Sequence, residues 1–268
     1  MAADRRATNP EHPIDAYALY PSLREKVVFI TGGATGIGAE FVAQFTRQDA
    51  RVSFLDVNAQ AAGELVSAIE AGGGMAPWYR VCDVTDTRQL QDAIGACADA
   101  LGPVDVLVNN AANDQRRSVE DVTEQFWDDK IDLNLRHFFF AAQAVASGMR
   151  ARGRGSIINL GSITWHAAFA NVSVYATAKA GIEGLTRSLA RDLGPYGIRV
   201  NCLIPGWTMT ERQLRDWVTP EGEKDLERAQ CLPGRVMPAD VARMALWLAA
   251  DDSRMCTSQN WVVDGGWT

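Results

Sequence analysis

Short apolar runs alternate with longer amphipathic stretches from residue 26 to the end of the chain. The apolar runs are nearly continuous, which is typical of strands buried on both faces of a parallel sheet. The stretches between them are long enough for the crossovers that parallel strands need. We therefore predict strands at residues 26–30, 51–55, 77–82, 104–108, 156–160, 199–204 and 260–263.

Helical periodicity falls between these strands, at residues 37–48, 58–70, 87–101 and 175–193 and in a stretch that ends at residue 150. Right-handed crossovers then give an α/β fold, a doubly wound parallel sheet of the Rossmann type with helices on both faces. No repeat or linker divides the chain, so we predict a single domain over residues 23–268, preceded by an arm of residues 1–22.

Composition excludes several classes of function. The formal net charge is -7, which argues against a nucleic-acid partner. The five cysteines are widely spaced and form no Cys-x-x-Cys pair, and the three histidines are scattered, so we expect neither a disulfide framework nor a metal site. We find no apolar run of the roughly 18 residues that read as a membrane span, and no signal peptide. A cytoplasmic location is expected.

A glycine-rich turn joins the first predicted strand to the helix that follows it. Gly32, Gly36 and Gly38 lie in this turn, and Ile37 opens the predicted helix. Glycines allow a tight turn and a close approach to a pyrophosphate, to which the helix N-terminus offers free N–H groups. The position between strand and helix favours a dinucleotide site over a tight turn without a ligand.

The second predicted strand runs into Asp56. A carboxylate at that point can accept hydrogen bonds from the adenosine ribose and repel a 2′-phosphate. No cation that could pair with such a phosphate lies next to it in the sequence. We therefore predict NAD as the cofactor. The alternative, that Asp56 merely caps the next helix, is compatible with this role.

Tyr175 and Lys179 are four residues apart in a helical stretch and so share one helix face. A nearby ammonium favours a phenolate, so we expect Lys179 to lower the pKa of Tyr175 and make it a proton acceptor. Ser162 follows the fifth predicted strand at the edge where ligands bind such sheets, and its hydroxyl can hold a substrate oxygen.

As an ordered set, these residues resemble the short-chain dehydrogenase/reductase family. The resemblance covers about residues 23–268 and is carried by Thr31–Gly38, Asn109–Ala112, Asn134, Ser162, Tyr175, Lys179 and Pro205–Gly206. It implies catalysis by the Ser162, Tyr175 and Lys179 set, with Asn134 shaping a proton relay through water to Lys179. It also implies a homotetramer.

The same resemblance implies how the cofactor is held. Asp83 and Val84 would hold the adenine, and Asn109 would lie against the adenosine. Lys179, with Tyr175, would hold the nicotinamide ribose. Thr208 and Thr210 would secure the carboxamide, and Pro205 and Gly206, which precede them, would also lie against the cofactor.

A closer resemblance, to bacterial aldose dehydrogenases of that family, runs along nearly the whole chain. It is carried by Tyr20–Leu23, Asn134–His137, Ser162–His166, Trp217–Glu223 and Ala229–Leu232. It implies NAD-dependent oxidation of the anomeric carbon of a sugar to a lactone. Polar and aromatic residues that follow the strands should rim the cleft and contact that sugar, namely Asn113, Asp114, Ser162, Trp165, His166, Tyr175, Trp207, Arg212 and Gln213.

Alternatives remain open. For each rim residue, a structural role is about as plausible as substrate contact, and His166 can be a packing residue of its loop. The substrate can be another secondary alcohol or ketone, such as a polyol, a keto-sugar acid or a 3-oxoacyl thioester. An NAD-sensing protein without chemistry would lack part of the serine, tyrosine and lysine set, and all three residues are present.

Overall fold

A computed structural model describes residues 17–268. Within them, a seven-stranded, wholly parallel sheet has the strand order β3-β2-β1-β4-β5-β6-β7. This confirms the predicted fold class. The strands are β1 Val27–Thr31, β2 Arg51–Asp56, β3 Trp78–Val81, β4 Val106–Asn109, β5 Gly155–Leu160, β6 Ile198–Pro205 and β7 Asn260–Val263.

Helices connect the strands. They are α1 Gly36–Arg47, α2 Ala59–Ala71, α3 Thr87–Leu101, α4 Glu124–Ile131, α5 His137–Arg152, α6 Ser173–Leu193, α7 Glu211–Asp216, α8 Pro220–Ala229 and α9 Pro238–Ala249. The helical stretch predicted to end at residue 150 is α4 and α5, joined by a π-helical segment over Asp132–Arg136. Helices α7, α8 and α9 were not among the predicted ones.

The apolar strands bury side chains on both faces of the sheet. In β1, Val28 and Ile30 pack into one core cluster with α1, α2 and α9. Val27 and Phe29 point the other way, into a second cluster with α3, α5 and α6. This alternation explains why the central strands are mostly apolar, since both faces of the sheet are covered there, whereas the edge strands β3 and β7 are partly exposed.

The chain order of the strands reverses between β1 and β4, which are neighbours in the sheet. Ligands of open α/β sheets bind in the crevice outside the carboxyl ends of the strands at such a reversal. A cleft of about 1250 Å³ lies along this edge. Its walls come from the turn before α1, the segments after β2, β3, β4 and β5, and the chain from β6 through α7 to α8.

The predicted N-terminal arm of residues 1–22 lies mostly outside the described residues. Its described part is bound to the body of the protein: the backbone N–H of Tyr20 donates to Gln48 Oε1 (2.8 Å), and the Ser22 hydroxyl accepts from the N–H of Asp251 (3.0 Å). In residues 17–268, no helix combines the length and apolar character that crossing a bilayer requires.

Candidate active site

The glycine turn opens directly onto the cleft. Gly32 and Gly36 have left-handed φ values of +67° and +58°, which side-chain-bearing residues rarely adopt. A Cβ atom at Gly38 would collide with the carbonyl oxygen of Gly32. The first N–H groups of α1, at Gly36, Ile37 and Gly38, have no partner within the helix and lie at the cleft wall. This turn fits a pyrophosphate.

The carboxylate of Asp56 is fixed at the end of β2. One oxygen accepts from the N–H of Ala34 (2.9 Å) and the other from the N–H of Asn58 (3.0 Å). Asn58, not Asp56, is the N-cap of α2. Asp83 and Val84, for which an adenine contact is predicted, line the same cleft. Asp56 therefore lines the cleft and does not serve as the cap of α2.

Ser162, Tyr175 and Lys179 meet at the other end of the cleft. Ser162 follows β5, and Tyr175 and Lys179 lie on α6, one turn apart. The Lys179 side chain is only 1% exposed, and its ammonium donates to the carbonyl oxygen of Leu160 (2.7 Å). The same ammonium lies over the ring of Tyr175, 5.5 Å from the ring centroid. Three of the four predicted catalytic residues therefore lie together at one end of the cleft.

The pKa values in this group differ from the prediction. Burial raises the pKa of Tyr175 to about 12, and a hydrogen bond with Ser162 opposes this only in part. Burial also lowers the pKa of Lys179 to about 7. The expected lowering of the Tyr175 pKa by Lys179 is not found, because the ammonium faces the phenol ring and is hydrogen-bonded to Leu160. In both groups the loss of water on burial outweighs the interaction that opposes it.

Asn134 lies in the π-helical segment and is fully buried. Its side-chain oxygen accepts from the N–H of Asn113 (2.8 Å), and its amide nitrogen donates to the carbonyl oxygens of Asn113 (3.2 Å) and Lys130 (2.9 Å). The side chain thus fixes the loop after β4, and it does not line the cleft as the other three predicted catalytic residues do. Its part in a proton relay stays a prediction.

His137 is 1% exposed and also supports the loop after β4. Its Nε2 atom donates to the carbonyl oxygen of Ala111 (3.0 Å). Burial, with the nearby Lys179 charge acting in the same direction, lowers the pKa of His137 from 6.5 to about 4. The folded protein therefore holds this imidazole neutral at pH values where an unfolded chain would protonate it.

The free energy of unfolding should therefore fall as the pH drops from 6.5 toward 4, since in this range only the unfolded state takes up the His137 proton. A displacement of the pKa from 6.5 to about 4 corresponds to about 3 kcal/mol. Urea unfolding of the wild type and of His137→Gln at several pH values measures this. The variant should show the shallower slope, and parallel pH profiles would contradict the assignment.

An ion pair and hydrogen bonds join the loop after β4 to α7 across the cleft. Asp114 pairs with Arg212 and accepts from the side-chain amide of Gln213 (3.0 Å). The indole N–H of Trp207 donates to the side-chain oxygen of Gln213 (2.9 Å). These four predicted substrate residues line the cleft, as does Asn113, but they satisfy much of one another's hydrogen-bonding capacity.

Trp165 and His166 were predicted to contact the substrate, but they lie outside the cleft. Both donate to the same oxygen of Glu183 on α6, from the indole N–H (2.7 Å) and from His166 Nε2 (3.0 Å). Glu183 is itself 9% exposed, and a carboxylate so buried needs donors. This arrangement agrees with the alternative that His166 is a packing residue.

Asn109 is the one predicted cofactor residue that lies off the cleft. It is fully buried in β4, and its amide nitrogen donates to the side-chain oxygen of Asn159 (2.9 Å) and to the carbonyl oxygen of Phe138 (3.2 Å). The neighbouring Asn110 lines the cleft instead. The remaining predicted cofactor residues all line it, including Pro205, Gly206, Thr208 and Thr210.

Three aromatic residues that line the cleft were missed: Phe169, Trp217 and Trp267. Trp267 follows the end of β7, and the rule applied to the other strand ends would have found it. Phe169 lies in the long segment between Ser162 and Tyr175, where no periodicity shows which side chains turn inward.

Comparison with known proteins identifies dehydrogenases and a reductase family as relatives of this chain. A family model described as enoyl-(acyl carrier protein) reductase matches residues 32–268. A D-xylose 1-dehydrogenase of Caulobacter vibrioides is 50% identical over 250 residues, which cover 93% of this chain and 98% of that protein. A protein of Rhizobium meliloti named "probable galactose dehydrogenase" is 44% identical over 92% of this chain and 96% of its own.

Solved structures agree with this result. A 3-oxoacyl-[acyl-carrier protein] reductase from Brucella melitensis is 31% identical and superposes with a TM-score of 0.87, covering 98% of each chain. A protein described as a short-chain type dehydrogenase/reductase, from Mycobacterium ulcerans, has a TM-score of 0.86 at 26% identity, over 92% of this chain and 90% of its own. With the glycine turn, the parallel sheet and the serine, tyrosine and lysine set, these matches show that the chain belongs to the short-chain dehydrogenase/reductase family.

Proposed function

We propose that the protein is an NAD-dependent dehydrogenase that oxidises the anomeric carbon of an aldose to a lactone. The observation that carries the proposal is the meeting of Ser162, Tyr175 and Lys179 at one end of a cleft whose other end is the glycine turn and Asp56. Relatives named for the oxidation of sugars, at 50% and 44% identity over nearly the whole chain, support the substrate class.

The chain's own residues account for the acid–base chemistry. Ser162 and Tyr175 would hold the anomeric hydroxyl, and Tyr175 would take its proton as the carbon is oxidised. The C–H and O–H bonds at the anomeric carbon both break, and the carbon becomes the carbonyl of a lactone. A nicotinamide bound in the cleft supplies the acceptor for the two electrons and the hydrogen of that C–H bond. The proton would then leave by way of Lys179, which is buried beside the phenol, and Asn134 is proposed to shape the water path that continues from Lys179.

The residues that line the cleft fit a dinucleotide. The turn at Gly32–Gly38 would hold the pyrophosphate, and Asp83 and Val84 the adenine. Asp56 would accept from the adenosine ribose hydroxyls. None of the lining residues that directly follow β2 and β3 is cationic, and the Asp56 carboxylate would repel a 2′-phosphate. This supports NAD over NADP.

The polar and aromatic lining of the substrate end supports a sugar over a steroid or an acyl chain, which would favour a mostly apolar lining. Polyols, keto-sugar acids and 3-oxoacyl thioesters are the alternatives within the same family. We propose in addition a cytoplasmic location, which the free cysteines of residues 17–268 support, and a homotetramer, for which the exposed Phe139 on α5 offers an apolar contact.

Initial rates across a substrate panel test this proposal. The panel contains pentoses, hexoses and 6-deoxy sugars with NAD and with NADP, polyols with NAD, and a 3-oxoacyl thioester with the reduced cofactors. We expect turnover of aldoses with NAD and a lactone product. Faster turnover of a polyol or a thioester than of every aldose would contradict the sugar assignment, and no turnover of any compound would favour a regulatory protein.

A further inference from the structure

The chain after β7 turns back toward the cleft and is fixed there by Asp264. This carboxylate is 5% exposed, and it accepts from the N–H of Gly266 (2.7 Å), the N–H of Thr268 (2.8 Å) and the hydroxyl of Thr268 (3.0 Å). Gly265 and Gly266 have left-handed φ values of +70° and +83°, which allow the reversal. Asp264 therefore fixes the residues directly before and after Trp267.

The indole of Trp267 lines the substrate end of the cleft. It makes an edge-to-face contact with Phe169, with the ring centroids 5.5 Å apart and an interplanar angle of 69°. Phe169 lies in the segment that connects Ser162 to Tyr175. Trp267 thus forms a wall beside the residues that would hold the reacting hydroxyl, and it lies opposite the end of the cleft that contains Asp56.

Two other tryptophans line the cleft but are engaged elsewhere. The Trp207 indole N–H is bound to Gln213, and the guanidinium of Arg116 covers the ring of Trp217 at 4.0 Å. Among the described residues, Phe169 is the ring recorded against Trp267. Trp267 also packs against the buried cluster that contains Ile163 and Ile204. It stays partly exposed and lines the cleft, so part of its indole can meet a ligand there.

We propose that Trp267 is a specificity-determining residue whose indole packs against the apolar C–H face of the sugar. This rests on the proposed function, since it assumes that the ligand beside Tyr175 is a sugar. Hydrogen bonds from Ser162 and Tyr175 fix the reacting hydroxyl, and a flat apolar wall then limits the size of the substituents that the rest of the ring carries.

The test compares Trp267→Ala and Trp267→Phe with the wild type on a pentose and a hexose. Trp127→Phe is the control, because Trp127 is exposed on α4, outside the cleft. For Trp267→Ala we expect a KM for the better aldose that is about tenfold higher, a kcat within about threefold of wild type, and an unchanged Kd for NAD. The ratio of kcat/KM for hexose over pentose should rise about tenfold as the removed ring leaves room. Trp267→Phe should be intermediate.

A purely structural role for Trp267 would lower the activity on both sugars alike and leave their ratio within about twofold of wild type, which would overturn the proposal. If Trp267→Ala fails to fold, the hexose-to-pentose ratio of kcat/KM is measured on Trp267→Phe and Trp267→Leu instead, and it should again exceed the wild-type ratio. If the wild type oxidises no aldose, the proposed function fails separately. The proposed contact between Trp267 and the substrate is then tested on the alcohol that the wild type turns over fastest. An unchanged KM for that alcohol in the Trp267 variants would overturn the proposal.

Discussion

Replacing Tyr175 by phenylalanine should reduce kcat by about a thousandfold, because the variant keeps the ring that lines the cleft and loses the group that takes the proton. The Kd for NAD should change by less than about threefold. Stopped-flow rates and a calorimetric titration with NAD measure the two effects. Tyr196→Phe, an exposed tyrosine beyond the end of α6, is the matched control and should behave as wild type.

The same residue should set the pH dependence. The pKa of Tyr175 is raised to about 12, so the phenolate fraction grows about tenfold with each pH unit below that value. Oxidation in the wild type should therefore accelerate from pH 7 to pH 10, and the residual activity of Tyr175→Phe should not. Near-wild-type turnover of the variant, or a wild-type profile that is flat over this range, would rule out Tyr175 as the base.

The second large effect concerns the choice of cofactor. Asp56→Asn keeps the shape of the side chain and an oxygen that can accept from the N–H of Ala34 or Asn58, but it removes the charge. Two unit charges about 4 Å apart repel by roughly 1–4 kcal/mol, depending on their exposure to water. We therefore compare kcat/KM measured with NAD to kcat/KM measured with NADP. The ratio of the two should fall about a hundredfold in this variant, chiefly because the KM for NADP becomes lower.

Asp83→Asn is the matched control for this experiment. Asp83 lines the same end of the cleft, and its carboxylate is bound to the N–H and hydroxyl of Thr85 (2.9 and 2.8 Å). As an adenine-site residue it should affect both cofactors alike and leave their ratio nearly unchanged. If Asp56→Asn keeps the wild-type ratio, then the charge of Asp56 does not discriminate between NAD and NADP.

Much of the fold could be predicted because strands buried on both faces are apolar at every position. Each predicted strand is found with its ends shifted by at most two residues. The short helix α7 was missed because it buries no side chain, so its sequence carries no apolar periodicity. The π-helical segment was missed because five residues are too few for its period to show in the sequence.

Residues chosen only for their position at a strand end, such as Asp56, Ser162 and Pro205, do line the cleft. The sequence could not show in which direction other side chains turn. Trp165 follows the correct strand but turns toward Glu183, which lies 18 residues away in the sequence. The pKa of Tyr175 depends on burial and on where the Lys179 ammonium points, and neither can be read from a four-residue spacing.

The π-helical segment at Asp132–Arg136 has a consequence for redesign. A π turn contains one residue more than the α turn it replaces, so the side chains before and after it are rotated relative to each other. Deleting one residue there would give a more regular helix and turn Asn134 away from Asn113, or leave His137 out of reach of Ala111. A more regular helix would therefore be obtained only at the cost of the contacts that shape the loop after β4.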